Sequence, residues 1–322
     1  MSVLAEMESI LNDTDANEDL IQSPLPIWTN CVLISLSFLG VFGNSIVCYI
    51  IGRTKKLHSP TNYLIANLAV ADLLVCLSST VKPIIDNLTK NSWPSTNISS
   101  IFFCLFLESG VALFVTSTAS ALALIIVSFE RFIGIVYPLH YPILVTNSRL
   151  KIAILCQWII SVSAAMPFLF KIYYDDQAHR YQSMVSVPIV LLYAFTGYVL
   201  PITALVYLYT RMFLSLRRHD SVKVKRSIRR PQASLVCLQR ARKNILINLF
   251  IITVLFILFT TPSIVQVVVI LLETEDQLKM SISVFRVTAI TLLCNSVVNP
   301  FVYAFRYNKF QKAMCVTLKC KT

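Results

Sequence analysis

Seven long apolar segments follow one another along the chain, separated by polar connections. They comprise residues 27–51, 62–81, 101–129, 152–170, 181–210, 244–272 and 280–305. Each is close to or above the ~20 residues that a helix needs to cross the hydrocarbon of a bilayer. Barrel strands would be about half as long and would alternate apolar with polar residues. Because backbone groups in lipid must be paired within the segment, the pattern predicts seven transmembrane helices.

The composition agrees with this pattern. Of the 322 residues, 56% are hydrophobic and 14% are charged, and the mean hydropathy is +0.70. These values are typical of a membrane protein with several spans and too apolar for a soluble domain of this length. The nine cysteines form no CxxC pair and the four histidines all fall in connections. Neither a zinc site nor a nucleophile–base set is therefore indicated, and we do not expect an enzyme.

Charged residues in the connections predict the orientation of the bundle. Lys and Arg concentrate after the first, third, fifth and seventh segments, whereas residues 1–26 carry acids and no base. Basic connections remain in the cytoplasm. We therefore predict an extracellular tail (1–26), a transmembrane bundle (27–305) and a cytoplasmic part with a short helix and tail (306–322). Sequons at Asn12, Asn87 and Asn97 fall on the predicted outer side and are candidate glycosylation sites.

The net charge of +12 raises the question of nucleic-acid binding. The basic residues, however, flank membrane segments and lie on one side of the bundle. That distribution favours contact with anionic lipid headgroups, so we expect membrane lipid as a partner and no nucleic acid.

Several polar residues lie within the apolar segments, where ionisable groups cost ~2.5–3.5 kcal/mol on insertion scales. Asp72 lies about mid-span in the second segment, with Asn44 at similar depth in the first. Ser120 also lies at mid-span, in the third segment. The seventh segment contains three further polar residues, Asn295, Ser296 and Asn299. A carboxylate among hydroxyl and amide oxygens can hold a small hard cation. The alternative is a hydrogen-bonded contact between helices without an ion.

Two further features lie toward the predicted inner side. Pro300 frees a backbone carbonyl one turn earlier, which side chains or water can satisfy, and predicts either a hinge or a static kink. Glu130 and Arg131 are adjacent charges at the inner end of the third segment. Because neighbouring helix residues do not face each other, the Arg131 side chain folds back, reaches across the bundle, or extends to the interface.

Taken together, these residues resemble the rhodopsin-like (class A) G-protein-coupled receptors over nearly the whole chain. The matching stretches are Gly43-Asn44, NLAVADLL with Asp72, ERF with Arg131, Trp158, Pro201 with Tyr209, Phe256 with Pro262, NSVVNPFVY ending in Tyr303, and Phe310. The resemblance implies an all-α seven-transmembrane bundle with a short amphipathic eighth helix, located in the plasma membrane. It also implies an extracellular ligand, a heterotrimeric G protein and arrestin as partners.

The resemblance further implies roles for particular residues. The residues implied for the inactive-state latch and G-protein coupling are Glu130, Arg131, Tyr209 and Tyr303. The residues implied for the activation hinge are Phe256, Pro262, Asn299 and Pro300. The family also has a sodium pocket, in which sodium acts as an allosteric modulator, and the residues implied for it are Asp72, Ser120, Asn295 and Asn299. No required cofactor is expected. Cys315 and Cys320 follow the expected eighth helix and are candidate palmitoylation sites.

The chain departs from the family pattern at several positions. Thr260 stands where the family usually has a tryptophan, two residues before Pro262. Arg242, not an acid, occupies the base of the sixth segment, so we expect a loose latch and appreciable ligand-free signalling. Cys104 lies where the family has a disulfide, but residues 171–188 contain no cysteine, so we do not expect that disulfide.

The ligand is less constrained by the sequence. Leu113 occupies the position at which the family's amine receptors carry a carboxylate, which disfavours an amine. Glu108 and Arg286 could pair with charged ligand groups, or lie in water at the rim. We favour a peptide ligand, with a lipid or other non-amine small molecule as the alternative. A membrane transporter is a remote alternative, since the segments show no inverted repeat.

Overall fold

The computed structural model of the chain describes residues 27–89, 110–169, 172–175, 180–183, 187–226, 233–272 and 277–317. Within these ranges, seven helices are long and apolar enough to cross a membrane. The helices pack side by side, and aromatic and aliphatic side chains such as Phe38 and Phe42 are exposed around the bundle. The predicted all-α membrane fold with seven spans is confirmed.

Short elements connect the first span to the second and the third span to the fourth. In chain order the elements are α1 (Ile27–Arg53), a 3-10 turn (Lys55–Leu57), α2 (Pro60–Thr89), α3 (Val111–Val136), the one-turn helix α4 (Tyr141–Leu144) and α5 (Asn147–Leu169). Pro60 begins α2 at a position where a proline's missing N–H costs nothing. Gly110 precedes α3 with φ +71°, in the left-handed region that glycine adopts without strain.

The second half of the chain begins with a β-hairpin. The elements are β1 (Ile172–Asp175), β2 (Arg180–Ser183), α6 (Val187–Ala194), a π-helical turn (Phe195–Val199), α7 (Leu200–Arg226), α8 (Ala233–Leu272), α9 (Gln277–Arg306) and α10 (Asn308–Thr317). α6, the π-helical turn and α7 together form the fifth span, and α8 and α9 form the sixth and seventh. The short helix α10 is the predicted eighth helix.

The prediction that the fifth segment begins at Tyr181 is wrong. Residues 180–183 form β2, which pairs antiparallel with β1, with Tyr174 opposite Tyr181 and Asp175 opposite Arg180. Tyrosines next to polar residues in this stretch fit a strand better than a buried helix, because strand side chains alternate between two faces. The helix begins six residues later, at Val187.

Several helices also extend beyond the segments that hydrophobicity marks. α2 continues to Thr89, so the candidate glycosylation site Asn87 lies in its last turn. α7 continues to Arg226, and α8 begins at Ala233. Hydrophobicity follows contact with lipid, whereas a helix can continue into water. The apolar segments therefore predict the spans and not the helix ends.

α3 lies at the centre of the bundle. In α3, 61% of the apolar stretch is buried, against 17% in the peripheral helix α5. A chain of side-chain hydrogen bonds fixes α5 in place: Trp158 Nε1 donates to Asn67 Oδ1 at 3.2 Å, and Asn67 Nδ2 donates to Gln157 Oε1 at 2.8 Å. Gln157 Nε2 in turn donates to the carbonyl oxygen of Ala119 at 2.8 Å. α5 is thereby tied to both α2 and α3.

The eighth helix lies against the inner ends of α1 and α2. Phe310 is buried, and the Tyr307 hydroxyl donates to Asn62 Oδ1 at 3.2 Å. Thr317 Oγ1 lies 3.4 Å from Thr54 Oγ1. These contacts place α10 beside the inner end of the bundle, where the candidate signalling residues lie.

Candidate functional site

Glu130 and Arg131 form an ion pair at the inner end of α3. Arg131 Nε lies 2.8 Å from Glu130 Oε2, and an Arg131 Nη nitrogen donates to Oε1 at 3.4 Å. Glu130 is 3% exposed and Arg131 is 21% exposed. The Arg131 side chain therefore folds back onto Glu130 and neither reaches across the bundle nor extends to the interface.

Two further side chains bind the same carboxylate. Thr61 Oγ1 at the start of α2 donates to Glu130 Oε1 at 3.0 Å, and the Tyr141 hydroxyl in α4 donates to the same oxygen. Burial and the neighbouring Glu130 raise the pKa of Tyr141 to about 12, so this phenol remains a donor at neutral pH. The Glu130 carboxylate therefore joins α2, α3 and α4.

Thr61 and Tyr141 are functional candidates that sequence reasoning missed. Neither residue belongs to a charge pair or an apolar pattern that would single it out. One signal is present at Gly134, where a Cβ would lie 3.3 Å from the Tyr141 ring. A glycine on the face of α3 that bears Glu130 leaves space for a ring, but the sequence alone does not say which ring fills it.

Tyr209 and Tyr303 are both buried near the inner half of the bundle. The Tyr209 hydroxyl lies 3.4 Å from Ser128 Oγ in α3. No hydrogen bond among the described residues joins either tyrosine to Arg131, which is paired with Glu130 instead.

A second polar cluster surrounds Asp72, which is fully buried in α2. Asp72 Oδ1 accepts a hydrogen bond from Ser120 Oγ at 2.6 Å, and Oδ2 accepts one from Asn299 Nδ2 at 2.7 Å. The Ser296 side chain is buried in α9 and also lies near Asp72. Asn295, which the sequence placed in this cluster, is half-buried and is not among the described partners of Asp72. Ser296 is more buried than Asn295, because the turn of α9 directs it inward.

The chemistry of this cluster fits a monovalent cation in part. The Asp72 carboxylate and the Ser120 hydroxyl are the oxygen ligands that a hard cation prefers. The Asn299 amide directs its NH₂ group, not its oxygen, at Asp72. Among the described residues, no group of three or more His, Cys, Asp or Glu side chains converges, so a multivalent metal is not indicated here.

Pro300 lies inside α9, which continues through it to Arg306. Since proline has no N–H, the Ser296 carbonyl four residues earlier loses its helical donor. Asn44 Nδ2 in α1 donates to this carbonyl oxygen at 3.1 Å. Gly43 permits the approach, because a Cβ there would lie 3.1 Å from the Pro300 ring. The Gly-Asn pair of α1 thus stabilises the Asn-Pro pair of α9.

In the outer half of the bundle, aromatic side chains link α3 to the fifth span. Phe114 packs against Tyr193 with ring centroids 4.9 Å apart, and Tyr193 meets Tyr198 edge-on at 5.1 Å. The Tyr198 hydroxyl donates to the Tyr193 hydroxyl at 2.6 Å. Sequence reasoning missed this link between α3 and the fifth span, because tyrosines in apolar segments carry no signal of their partners.

Thr260, at the position where the family usually has tryptophan, is buried and small. Its hydroxyl donates to the Phe256 carbonyl oxygen of its own helix at 2.7 Å. Phe256 is itself buried.

The remaining candidate residues are not all placed by the structure. Those outside the described residues are Glu108, Asn12, Asn97, Cys104 and Cys320. Arg286 lies in α9 and Asn87 in α2, without a described side chain. Leu113 is half-buried in α3, and Cys315 is half-buried in α10.

Comparison with known proteins identifies the family. The model of the 7 transmembrane receptor (rhodopsin family) matches residues 43–303, a range that contains both polar clusters. The chain belongs to the rhodopsin family of seven-transmembrane receptors. It is a multi-pass membrane receptor of class A and not an enzyme, as the sequence predicted.

Individual receptors of this family align with most of the chain. Melanocortin receptor 5 of Rattus norvegicus is 27% identical over 90% of the chain and 83% of that receptor. Trace amine-associated receptor 9 of the same organism is 28% identical over 93% of the chain and 90% of that receptor. The alpha-1A adrenergic receptor of Mus musculus is 32% identical, over 66% of the chain and 45% of that receptor. Because these rhodopsin-family receptors carry names for different ligands, the ligand class has to be argued from this chain's own residues.

Proposed function

We propose that the chain is a plasma-membrane receptor, with its N-terminus outside the cell, that converts binding of an extracellular peptide into nucleotide exchange on a heterotrimeric G protein. The observation that carries this proposal is the Glu130 latch. A buried carboxylate holds Arg131 through an ion pair and binds Thr61 and Tyr141 through hydrogen bonds. Such a cluster can hold the inner ends of several helices in one arrangement and release them together.

In the proposed mechanism, the bundle has two states and the ligand binds one of them more tightly. Activation releases Arg131 from Glu130 and allows Tyr209 and Tyr303 to contact it as α8 moves outward about Pro262. Phe256, Asn299 and Pro300 complete the proposed hinge. Opening of the inner side would expose an apolar groove for an amphipathic helix of the G protein, and arrestin would compete for the same groove.

Exposed apolar side chains beside the latch support a protein partner on the inner side. Leu139 is 87% exposed and Ile143 is 66% exposed, and both lie between the third and fourth spans rather than within one. Tyr141 lies between them in sequence, and its hydroxyl donates a hydrogen bond to Glu130. A partner that covers Leu139 and Ile143 would therefore act directly on the latch.

A non-amine ligand is supported by the charges in the bundle. Among described side chains, the carboxylates are Asp72 and Glu130, which lie at mid-membrane and at the inner end. Leu113 is apolar, so an ammonium group would find no carboxylate there. The β1–β2 hairpin offers strand edges with which an extended peptide can pair. A lipid or other small molecule is the second candidate.

Sodium is part of the same proposal as an allosteric modulator. The ion would be held by the Asp72 carboxylate and the Ser120 hydroxyl, with Asn299 in the same cluster. It would supply a positive charge that stabilises the ionised carboxylate. We also propose Cys315 as a palmitoylation site, together with Cys320 farther along the same C-terminal stretch.

The test is ligand-free nucleotide exchange on a panel of G proteins. Wild type and Arg131→Ala are compared in membranes at matched surface expression. We expect one G protein to exchange faster with wild type than with the variant, and peptide fractions to increase that rate more than amines or lipids do. Exchange equal to that of empty membranes for every G protein, with substrate uptake instead, would support the transporter alternative.

A further inference from the structure

The one-turn helix α4 is held only weakly by burial. It comprises Tyr141–Leu144, and none of its four residues is buried. A single helical turn is marginally stable by itself, because its first hydrogen bond has to fix several residues. Tyr141 is the first residue of this turn, and its hydroxyl donates to the Glu130 carboxylate. The position of that hydroxyl therefore depends on the contacts that keep α4 in place.

The carboxyl end of α4 is closed by a side chain from the next helix. Arg149 Nη1, in the first turn of α5, donates to the Ile143 carbonyl oxygen at 3.0 Å and to the Leu144 carbonyl oxygen at 3.4 Å. Neither carbonyl accepts a backbone hydrogen bond from a described residue, since the last such bond of α4 runs from Val145 N to Tyr141 O. Arg149 thus supplies the donor that the final carbonyls of a helix lack.

Arg149 is itself held in place at the start of α5. Thr146 precedes this helix, and its hydroxyl accepts a hydrogen bond from Arg149 N at 3.4 Å. The Thr146 carbonyl oxygen accepts from Leu150 N at 3.0 Å. This is the N-cap arrangement that threonine can provide. The backbone that carries the guanidinium is therefore fixed to α5, which is anchored to α2 and α3 through Gln157.

The charge of Arg149 is placed unfavourably for α5 and favourably for α4. A cation in the first turn of a helix opposes the helix dipole, whereas a cation at the last carbonyls complements it. Arg149 is exposed, and no carboxylate in the described part of the chain pairs with it. Within that part of the chain, the partners of the guanidinium are the two carbonyls of α4.

We propose that Arg149 is a positioning residue for the Glu130 latch. It caps the carboxyl end of α4, keeps this turn helical, and thereby holds the Tyr141 hydroxyl on Glu130. Arg149 makes no described bond to Glu130 and acts through α4. Its effect on signalling rests on the proposed function, whereas its effect on the position of Tyr141 does not.

The first test reports the position of Tyr141 without a G protein. A fluorinated tyrosine is incorporated at position 141 of the full receptor in nanodiscs, and its ¹⁹F resonance is compared between variants. We expect Arg149→Gln to shift the resonance toward that of solvent-exposed fluorotyrosine, because an uncapped α4 lets the ring leave Glu130. Lys151→Gln removes an equal charge from an exposed residue two positions later, which has no described bond to α4, and should leave the resonance unchanged.

Two results of this test overturn the proposal. One is an Arg149→Gln resonance at the wild-type position, which would mean that the cap does not hold Tyr141. The other is an equal shift with Lys151→Gln, which would mean that the loss of positive charge, and not of the cap, moves the ring.

Ligand-free nucleotide exchange then tests the consequence for signalling. We expect Arg149→Gln to raise basal exchange about threefold, because water replaces part of an exposed charged contact. Arg149→Lys keeps a cationic donor at this place and should restore most of the wild-type rate. In a Tyr141→Phe background, Arg149→Gln should add nothing, since its route to Glu130 is already lost.

The two readouts separate this inference from the proposed function. An undiminished rise in the Tyr141→Phe background overturns the inference, because Arg149 would then act by another route. A shifted ¹⁹F resonance with wild-type basal exchange upholds Arg149 as the residue that positions Tyr141, and refutes the Glu130 latch as the control of signalling.

Discussion

Removal of the Tyr141 hydroxyl tests the latch most directly. Glu130 Oε1 accepts from Thr61, Arg131 and Tyr141, and Tyr141→Phe deletes one of these donors. The phenylalanine ring still fills the space beside Gly134. The substitution therefore weakens the inactive arrangement with little change in packing, and we expect ligand-free nucleotide exchange to rise.

The size of the effect follows from the charge on the acceptor. A hydrogen bond to a charged group contributes ~1.5–3 kcal/mol, and ~1.4 kcal/mol corresponds to a factor of ten in an equilibrium constant. Tyr141 is only partly buried, so water replaces some of the lost interaction and the lower end of the range applies. The ratio of active to inactive receptor should rise about tenfold, for example from ~1% to ~10% active.

The assay is G-protein nucleotide exchange without ligand, at matched surface expression. Tyr137→Phe is the control, since Tyr137 lies in the same connection, packs edge-on to Phe132 and is outside the Glu130 cluster. In a Glu130→Gln background, Tyr141→Phe should add much less, because the two groups act together. The reasoning is refuted if Tyr141→Phe and Tyr137→Phe give the same basal rate, or if the effect persists undiminished with Glu130→Gln.

Three further predictions concern the bundle. Gly43→Ala places a Cβ 3.1 Å from Pro300, so we expect a lower melting temperature and reduced surface expression. Gln157→Leu removes the acceptor of the Asn67 amide and the side-chain bond to the Ala119 carbonyl, and should destabilise the receptor by ~1–3 kcal/mol, measured by thermal unfolding. Asp72→Asn should abolish the difference in basal exchange between sodium chloride and choline chloride, and an unchanged difference would place the sodium effect elsewhere.

The sequence was sufficient for the spans and for part of the polar centre. Hydrophobic length marks lipid contact, so the seven spans could be counted from the order of apolar and polar residues alone. Asp72 and Asn299 are 227 residues apart and are joined by a 2.7 Å hydrogen bond. A polar residue in a membrane span needs a polar partner. The resemblance to the receptor family predicted which partner, because it places Asp72 and Asn299 in the same sodium pocket.

Side-chain direction and local pairing could not be predicted in the same way. Whether Ser296 or Asn295 faces Asp72 depends on the rotation of α9 about its axis, which composition does not fix. The hairpin that contains Tyr181 depends on pairing between two short stretches, and hydropathy counts a tyrosine as apolar in either setting. Tyr141 reaches Glu130 only because α4 turns back toward α3, a turn with no hydrophobic signal.

The length of α8 has a mechanical consequence. The helix runs 40 residues, from Ala233 to Leu272, and Pro262 lies well toward its outer end. At 1.5 Å per residue, Ala233 lies ~44 Å from Pro262 along the axis. A bend of about 10° at the proline would then displace the inner tip by ~8 Å. A small bend at Pro262 would therefore be amplified along the helix into a movement at the inner end of most of a helix diameter.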